Sequence, residues 1–238
     1  MQENSAYRRV LLKLSGEALA GEAGTGLDFR VMSRVCGVIA DCVRDGVQVG
    51  IVVGGGNFWR GVKNGEGRME RTRADYMGML ATVMNCLALQ DVLQQQGAEA
   101  KVLTAMRIEH VGEPFSVEKA DEYLNSGKVV VFGGGVGSPF FTTDTGAVLR
   151  AALIGADAIL LAKNVDGAYS ADPKKDPNAV RFDTLSYAEV LERRLAVMDS
   201  TATALAMDNN IPVLVFALKD PENIRRAVRG ENVGTLVR

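Results

Sequence analysis

The chain has 238 residues and a formal net charge of -2, and hydrophobic and charged residues make up 47% and 24% of it. These are ordinary values for a soluble globular protein, and the charge balance gives no electrostatic footprint for nucleic acid. The three cysteines show no metal-ligand spacing, which suits a reducing cytoplasm. The chain opens without the segments of a signal peptide, and no apolar run approaches the roughly 20 residues that span a bilayer. We therefore expect a cytoplasmic protein with neither a membrane nor a nucleic-acid partner.

Apolar runs alternate with helical patterns along the first half of the chain. The predicted elements are, in order, a strand at 8–15, a helix from Asp28 to about Arg44, a strand at 47–53, a long helix at 77–96, a strand at 98–105 and a helix at 117–125. Asp28 and Ser116 are predicted N-caps, and Gly46 is predicted to end the first helix. The long helix is apolar on more than one side, which indicates burial on more than one side and favours contact with a partner subunit.

The same alternation continues to the last residues. The predicted elements are a strand at 128–132, a helix at 146–155, a strand at 157–162, a helix from Ser186, a helix from Asp199 or Ser200 to Asp208, a strand at 211–216, a helix capped by Asp220-Pro221 and an edge strand at 235–237. Strands alternating with helices predict a three-layer α/β sandwich with a mostly parallel central sheet. Because no linker interrupts the pattern, we expect one domain over 1–238, with acceptor contacts before about residue 150 and donor contacts after it.

The most informative stretch is the glycine-rich loop at 133–144, which lies between a predicted strand and a predicted helix. Its glycines let the backbone approach a ligand closely, and the N–H groups at the start of the following helix attract anions. Thr142 and Thr143 add hydroxyl donors, and Asp144 adds a carboxylate for a metal ion or a sugar hydroxyl. A tight turn without a ligand is the alternative, but it leaves the Phe-Phe-Thr-Thr-Asp ending unexplained. We therefore interpret the loop as a cradle for phosphate.

Two earlier strands also end in segments that suit an anion. Lys13 lies at the carboxyl end of the first strand, where open α/β sheets bind ligands, and Ser15 and Gly16 follow at once. The alternative for Lys13 is an edge lysine that reaches solvent. The glycines at 54–56 follow the second strand and lead to Arg60, whose guanidinium suits a phosphate group.

Other polar positions carry weaker signals. Arg68 and Arg71 are interpreted as charges at a solvated helix start, and His110 as a loop histidine without a catalytic role. The segment at 163–173 is too long for a simple turn. Tyr169 within it offers a ring for stacking on a base.

The pattern favours phosphoryl transfer over other chemistries. The sequence has no Walker A motif and no Gly-x-Gly-x-x-Gly, and a single histidine gives no credible Ser/His/Asp triad. Phosphoryl transfer is mostly positioning and neutralisation of negative charge. An acceptor that is itself a phosphate needs no general base. Lysine, arginine, backbone N–H groups and Mg²⁺ then offset the repulsion between the two anions.

Five stretches resemble the bacterial uridylate (UMP) kinases of the amino acid kinase superfamily. They are Lys13–Glu17, Gly54–Asn57, Asp75–Thr82, Pro139–Asp144 and Val165–Gly167. The similarity spans essentially the whole chain. It implies the amino acid kinase fold and transfer of the γ-phosphoryl group of ATP to UMP. It also implies Mg²⁺ held mainly by the nucleotide phosphates, with no dedicated protein site.

The resemblance implies a role for each matching residue. The catalytic residues would be Lys13, Arg60, Asp144 and Asp199. The ATP-binding residues would be Lys13, Leu14, Ser15, Gly16, Gly56, Arg60, Lys163, Asn164, Tyr169 and Asp172. The UMP-binding residues would be Gly55, Asp75, Val136, Gly137, Ser138, Pro139, Phe140, Phe141, Thr142 and Thr143. Asp75 would accept hydrogen bonds from the ribose, and Asp144, or alternatively Asp199, would order the catalytic lysine or the metal shell.

The resemblance also implies a cytoplasmic homohexamer that UTP inhibits and GTP activates. The corresponding GTP effector loop comprises Gly21, Glu22, Ala23, Gly24, Thr25 and Gly26. The sequence departs from related enzymes at Gln90, Lys101 and Lys128, which replace arginines associated with the effector site. GTP activation is thus the implied property that the residues support least.

Two other functions remain open at this point. A small carboxylate or carbamate kinase of the same superfamily would not need Arg60 and Asp75, since its acceptor carries no ribose. A non-catalytic nucleotide sensor would not need Lys13, Asp144 and Asp199.

Overall fold

The structure, a computed structural model, describes residues 5–60, 69–173 and 175–238. Arg68, interpreted above as a solvated charge, lies outside these residues. The strands are β1 (Arg9–Leu14), β2 (Gln48–Val53), β3 (Ala100–Thr104), β4 (Glu113–Pro114), β5 (Val129–Gly133), β6 (Ala158–Lys163), β7 (Thr184–Leu185), β8 (Val213–Ala217) and β9 (Gly234–Val237). The helices are α1 (Gly16–Leu19), α2 (Phe29–Arg44), α3 (Arg71–Gln95), α4 (Val117–Asn125), α5 (Thr143–Leu153), α6 (Tyr187–Glu192), α7 (Ser200–Asp208) and α8 (Glu222–Val228).

The strands of the described residues form one sheet in the order β4-β3-β5-β2-β1-β6-β8-β9-β7. Every neighbouring pair is parallel except β8 and β9. Lys13 on β1 lies beside Val52 on β2 and Leu161 on β6, and Val52 lies beside Phe132 on β5. The carboxyl ends of these four central strands therefore meet at one edge of the sheet, where α/β sheets bind ligands.

Two apolar layers cover the sheet and confirm the predicted three-layer architecture. Residues of α2, α3 and α8 pack on one face, and residues of α4, α5, α6 and α7 pack on the other. Along β1, Leu12 and Leu14 contribute to the first layer and Leu11 to the second. Because alternate side chains of a strand point to opposite faces, Lys13 shares the face of Leu11, which α5 covers.

The local signals of α2 are confirmed in detail. The Asp28 carboxylate accepts hydrogen bonds from the N–H groups of Arg30 and Val31, and Gly46 follows the helix with φ +92°. An N-cap acceptor and a left-handed glycine satisfy the free groups at the two helix ends. The buried side is apolar, and most of the polar residues face solvent.

Helix α3 differs, because it presents apolar side chains on two sides. It begins at Arg71 rather than at the predicted Met77, with the Glu70 carboxylate accepting from the Thr72 N–H. Its buried residues include Cys86, Leu89 and Leu93. By length and composition alone α3 is apolar enough to cross a membrane, which the search for apolar runs did not anticipate. Half of this apolar stretch is buried inside the fold.

Several predicted boundaries need correction. Helix α5 begins at Thr143 rather than at 146, because the Thr142 hydroxyl accepts from the backbone N–H groups of Asp144 and Thr145. Pro221 lies at the N-cap of α8 instead of the first helical position, and the Asp220 carboxylate accepts from the Glu222 N–H at 3.1 Å. Strand β9 is not at the edge, since it lies between β8 and the two-residue strand β7.

Candidate functional site

A cavity of about 600 Å³ lies at the carboxyl ends of β1, β2 and β5. Its walls come from the segments that follow these three strands and from the first half of α3. The predicted site residues that line it are Lys13, Ser15, Gly16, Gly55, Gly56, Arg60, Asp75, Val136, Ser138, Phe141, Thr142 and Thr143. Residues far apart in the chain are thus brought together because parallel strands place their carboxyl ends side by side.

Lys13 and Asp144 form an ion pair at the base of this cavity. The Lys13 Nζ lies 2.9 Å from the Asp144 Oδ1, and the two side chains are 12% and 19% exposed. Asp144 is in the first turn of α5, on the face toward which Lys13 points. Since β1 is a central strand, the alternative of a solvated edge lysine is wrong. The ion pair therefore fixes the Lys13 ammonium group close to the glycine segments that follow β1 and β2.

Lys163 provides a second cation close to this pair. It ends β6, the neighbour of β1, and its Nζ donates to the carbonyl oxygens of Val197 and Ala196. Burial lowers the pKa of Lys163, an effect that the Asp144 charge opposes and the Lys13 charge reinforces. Lys163 therefore responds to the charge of the ion pair without lining the cavity.

The segments after β1 and β2 pack closely against each other, and the second also packs closely against α3. A Cβ on Gly16 would lie 2.3 Å from the carbonyl oxygen of Gly54, and a Cβ on Gly55 would lie 2.8 Å from the carbonyl oxygen of Gly78 on α3. Only glycine fits either position. The Arg60 guanidinium pairs with the Glu17 carboxylate across the gap between these segments. Both residues line the cavity.

Asp75 links α3 to the glycine-rich loop after β5. Both of its carboxylate oxygens lie 2.8 Å from the Arg71 Nε, and its Oδ2 accepts from the Phe140 N–H at 2.8 Å. The Arg71 guanidinium also lies 5.4 Å from the centroid of the Phe140 ring. The backbone of Phe140 is in the left-handed region, with φ +73°. The interpretation of Arg71 as merely a solvated charge missed these contacts.

Asp199 joins the N-termini of two helices. It is the N-cap of α7, where its Oδ1 accepts from the Ala202 N–H at 2.9 Å. The hydroxyl of Thr142 donates to its Oδ2, and the hydroxyl of Thr145 lies 3.1 Å from both carboxylate oxygens. These contacts suit a residue that fixes the start of α5, and with it the position of Asp144.

Other predicted site residues lie outside the cavity lining. They are Leu14, Gly137, Pro139, Phe140, Asp144, Lys163, Asn164, Tyr169, Asp172 and Asp199, together with the loop at 21–26. The Tyr169 hydroxyl donates to the Asp166 carboxylate at 2.8 Å, which raises the pKa of Tyr169. Gly21, Glu22 and Ala23 line a separate groove with the start of α2.

Sequence reasoning missed part of the lining on α3. The unpredicted lining residues are Glu17, Gly54, Trp59, Ala74, Gly78, Met79, Thr82 and Gly135. Gly78, Met79 and Thr82 follow Asp75 at spacings of three, four and seven, which is one face of a helix. That periodicity, extended from Asp75, was the signal available in the sequence.

Among the described residues, no group of three or more His, Cys, Asp or Glu side chains could hold a metal ion. Asp144 contributes a single carboxylate, and Asp199 is engaged by two threonines. Glu17 and Asp75, which line the cavity, are paired with Arg60 and Arg71, and a site whose carboxylates are paired in this way fits Mg²⁺ that is bound chiefly through substrate phosphates.

A parallel sheet with a cation–carboxylate pair and glycine segments at one edge is the arrangement of an α/β protein that handles phosphate groups. Within this class, the sequence profile of the Amino acid kinase family matches residues 8–217 of the chain. The chain belongs to the amino acid kinase family.

Solved structures resemble the chain over nearly its full length. The UMP kinase from Bacillus anthracis is 40% identical with a TM-score of 0.94, covering 98% of this chain and 96% of that one. The UMP kinase from Ureaplasma parvum is 36% identical with a TM-score of 0.91, covering 97% and 98%. The uridylate kinase from Archaeoglobus fulgidus is 33% identical with a TM-score of 0.75, covering 96% and 99%.

Proposed function

We propose that the chain transfers the γ-phosphoryl group of ATP to UMP, giving UDP and ADP. The observation that carries this proposal is one cavity that gathers Lys13, three glycine segments and Asp75, with Asp144 paired to Lys13 just behind its lining. The UMP kinases that the chain resembles support UMP as the acceptor. Because UDP is a pyrimidine nucleotide, the reaction would belong to pyrimidine nucleotide synthesis.

Charge neutralisation accounts for the chemistry. The phosphate of UMP is already anionic, so the reaction requires no general base. Lys13 stabilises the charge on the transferring group, and Asp144 keeps its ammonium in place. Mg²⁺ bound with ATP would supply further neutralisation, and Asp144 would be the carboxylate that contacts its coordination shell. Arg60 contacts phosphates where donor and acceptor meet.

The acceptor and the donor occupy different parts of the edge. Asp75 accepts hydrogen bonds from the ribose of UMP, and the residues from Val136 to Thr143 surround its base and phosphate. Lys163, Asn164, Tyr169 and Asp172 bind the nucleoside of ATP beyond the end of β6. The Ser15 and Gly16 backbone contacts the ATP phosphates.

The experiment is a measurement of ADP release from Mg-ATP with different acceptors. UMP, CMP, dTMP and AMP are offered separately, followed by glutamate, aspartate and carbamate. Turnover with UMP alone is the expected result. Turnover with an amino acid or carbamate would instead identify a small carboxylate or carbamate kinase. ATP binding without turnover on any acceptor would identify a nucleotide sensor.

The proposal extends to a cytoplasmic homohexamer. Met77, Leu80, Met84 and Leu87 form an exposed apolar stripe on α3, with exposures from 38% to 51%. Their three-four-three spacing places them on one side of the helix, where a second copy would cover them. Sedimentation of a Leu80→Glu/Met84→Glu variant should show smaller particles than wild type, whereas Gln94→Glu on the same helix should not. An unchanged sedimentation coefficient in the double variant would exclude this surface.

Regulation belongs to the same proposal. We expect UTP to inhibit, and GTP to activate through the loop at 21–26. Initial rates with each nucleotide added to subsaturating UMP and Mg-ATP test both effects. Rates unchanged by GTP would fit the replacement of effector-site arginines by Gln90, Lys101 and Lys128.

A further inference from the structure

Two buried asparagines form a reciprocal amide pair beneath the cavity. Asn57 follows the glycines after β2, Asn85 lies in the middle of α3, and their exposures are 2% and 0%. The Asn57 Nδ2 donates to the Asn85 Oδ1 at 2.9 Å, and the Asn85 Nδ2 donates to the Asn57 Oδ1 at 2.8 Å. The pair lies outside the catalytic and binding roles assigned above.

The remaining N–H group of each amide reaches a backbone carbonyl. The Asn85 Nδ2 donates to the Gly54 oxygen at 2.7 Å, and the Asn57 Nδ2 donates to the Gly26 oxygen at 2.8 Å. Each carbonyl needs a donor, so these contacts fix which end of each amide is nitrogen. The Asn57 backbone carbonyl also accepts from the Gly26 N–H at 3.0 Å. The pair therefore joins α3 to the segment after β2 and to the loop at 21–26.

The pair acts on the part of the backbone that faces phosphate. In a trans peptide, the carbonyl of one residue and the N–H of the next point in opposite directions. Because Asn85 holds the Gly54 carbonyl toward α3, the Gly55 N–H points away from Asn85. Gly54 and Gly55 both line the cavity. A Cβ on Gly16 would lie 2.6 Å from the Asn57 Oδ1, so the pair also contacts the segment after β1.

We propose that the Asn57–Asn85 pair is the positioning element that orients the Gly54–Gly55 peptide for phosphate binding. The inference rests on the proposed function, since it assumes that this segment holds a phosphate. An apolar pair would fill the same space, but it would leave the Gly54 carbonyl without a side-chain donor. The two buried amides, whose N–H groups are all hydrogen-bonded, thus orient the Gly54–Gly55 segment and also help to pack α3 against it.

Two isosteric substitutions separate positioning from packing. Asn85→Asp removes the donor to Gly54, and Asn57→Asp removes the donor to Gly26 while leaving Asn85 bound to both of its acceptors. Each substitution places one new carboxylate within the same buried pair, so the two variants should lose similar amounts of thermal stability. We expect Asn85→Asp to lower kcat/KM for UMP by about 10²-fold, as for a misplaced binding group. Asn57→Asp should lower it much less.

Rates are divided by the folded fraction measured by circular dichroism, and Mg-ATP binding is measured by calorimetry. Gln94→Glu, an exposed amide-to-acid change on the same helix, is the control and should match wild type. Asn85→Ala, which adds no charge and favours helix, carries the same test if Asn85→Asp does not fold. It should also lower kcat/KM for UMP per folded molecule and weaken Mg-ATP binding.

Wild-type kcat/KM per folded molecule in the Asn85 variants would overturn the inference. Equal losses of kcat/KM in Asn85→Asp and Asn57→Asp, in proportion to their losses of stability, would also overturn it. Failure of wild type to release ADP with UMP would count against the proposed function instead. In that case weaker Mg-ATP binding by Asn85→Ala than by wild type would still support the inference, and equal binding would overturn it.

Discussion

The two sides of the candidate nucleotide site are held in different ways. On the side of β2 and β5, both glycine segments are bound to α3. Asn85 donates to the Gly54 carbonyl at 2.7 Å, and the Thr82 hydroxyl accepts from the Gly134 N–H at 2.9 Å. One helix thus sets the positions of two segments that come from separate strands.

On the side of β6, the side chains of Tyr169 and Asp172 pair with residues close to them in the chain. Tyr169 bonds to Asp166 three residues away, and Asp172 pairs with Lys175 at 3.9 Å. Asn164 and Asp172 are exposed. The difference indicates that the fold itself organises the side proposed for the phosphates and the acceptor, whereas individual side chains form the side proposed for the donor nucleoside. Substitutions should therefore lower activity most near β1 and α3 and least beyond β6.

The largest effect is expected from the two lysines that end neighbouring strands. Lys13→Met should lower kcat by about 10²-fold or more, because it removes the cation that Asp144 holds in the cavity. Lys163→Met should lower kcat less, because Lys163 donates to backbone carbonyls outside the cavity lining. Single-turnover rates at saturating Mg-ATP and UMP measure both. Equal losses would mean that both lysines contact the transferring group, and the comparison of the two sides would then fail.

The architecture was predictable from sequence because it rests on local patterns. Apolar strands that end in glycine, together with caps such as Asp28 and Ser116, place most of the elements and gather many of the predicted residues at one edge. The two-residue strands β4 and β7 carry too little pattern to be recognised. The start of α3 was missed because the charges at 70–75 obscured the helical period.

Side-chain pairing between distant elements was not predictable. Nothing local to Asn57 indicates Asn85, and nothing local to Glu17 indicates Arg60. Such pairs depend on how the sheet and α3 meet, which follows from packing across the whole fold. The Arg71–Asp75 pair lay within reach of sequence reasoning, since it is an i,i+4 pair on one helix.

An intermediate effect is expected at Asp75, which belongs to the α3 side. Asp75→Asn keeps an acceptor for the Phe140 N–H, but it loses the contact of both carboxylate oxygens with the Arg71 Nε and the charge that would strengthen bonds to ribose hydroxyls. The KM for UMP should rise by about 10-fold or more, with a smaller change in kcat, since hydrogen bonds to charged groups are worth about 1.5–3 kcal/mol. Asp91→Asn, an exposed position on the same helix, is the matched control. An unchanged KM in Asp75→Asn would remove Asp75 from the acceptor site.

The smallest effect is expected beyond β6, at Tyr169. Tyr169→Phe removes only the hydroxyl that donates to Asp166, and it should change the KM for Mg-ATP by no more than about twofold, because a partly exposed hydrogen bond adds little net free energy. Tyr169→Ala also removes the ring. If the ring stacks on adenine, KM should rise by about 5-fold or more, since stacking of a base on an aromatic side chain is worth about 1–3 kcal/mol. Steady-state rates at varied Mg-ATP and saturating UMP distinguish the two. An equal rise in both variants would assign the effect to the hydroxyl, and no rise in either would place the adenine elsewhere on the β6 side.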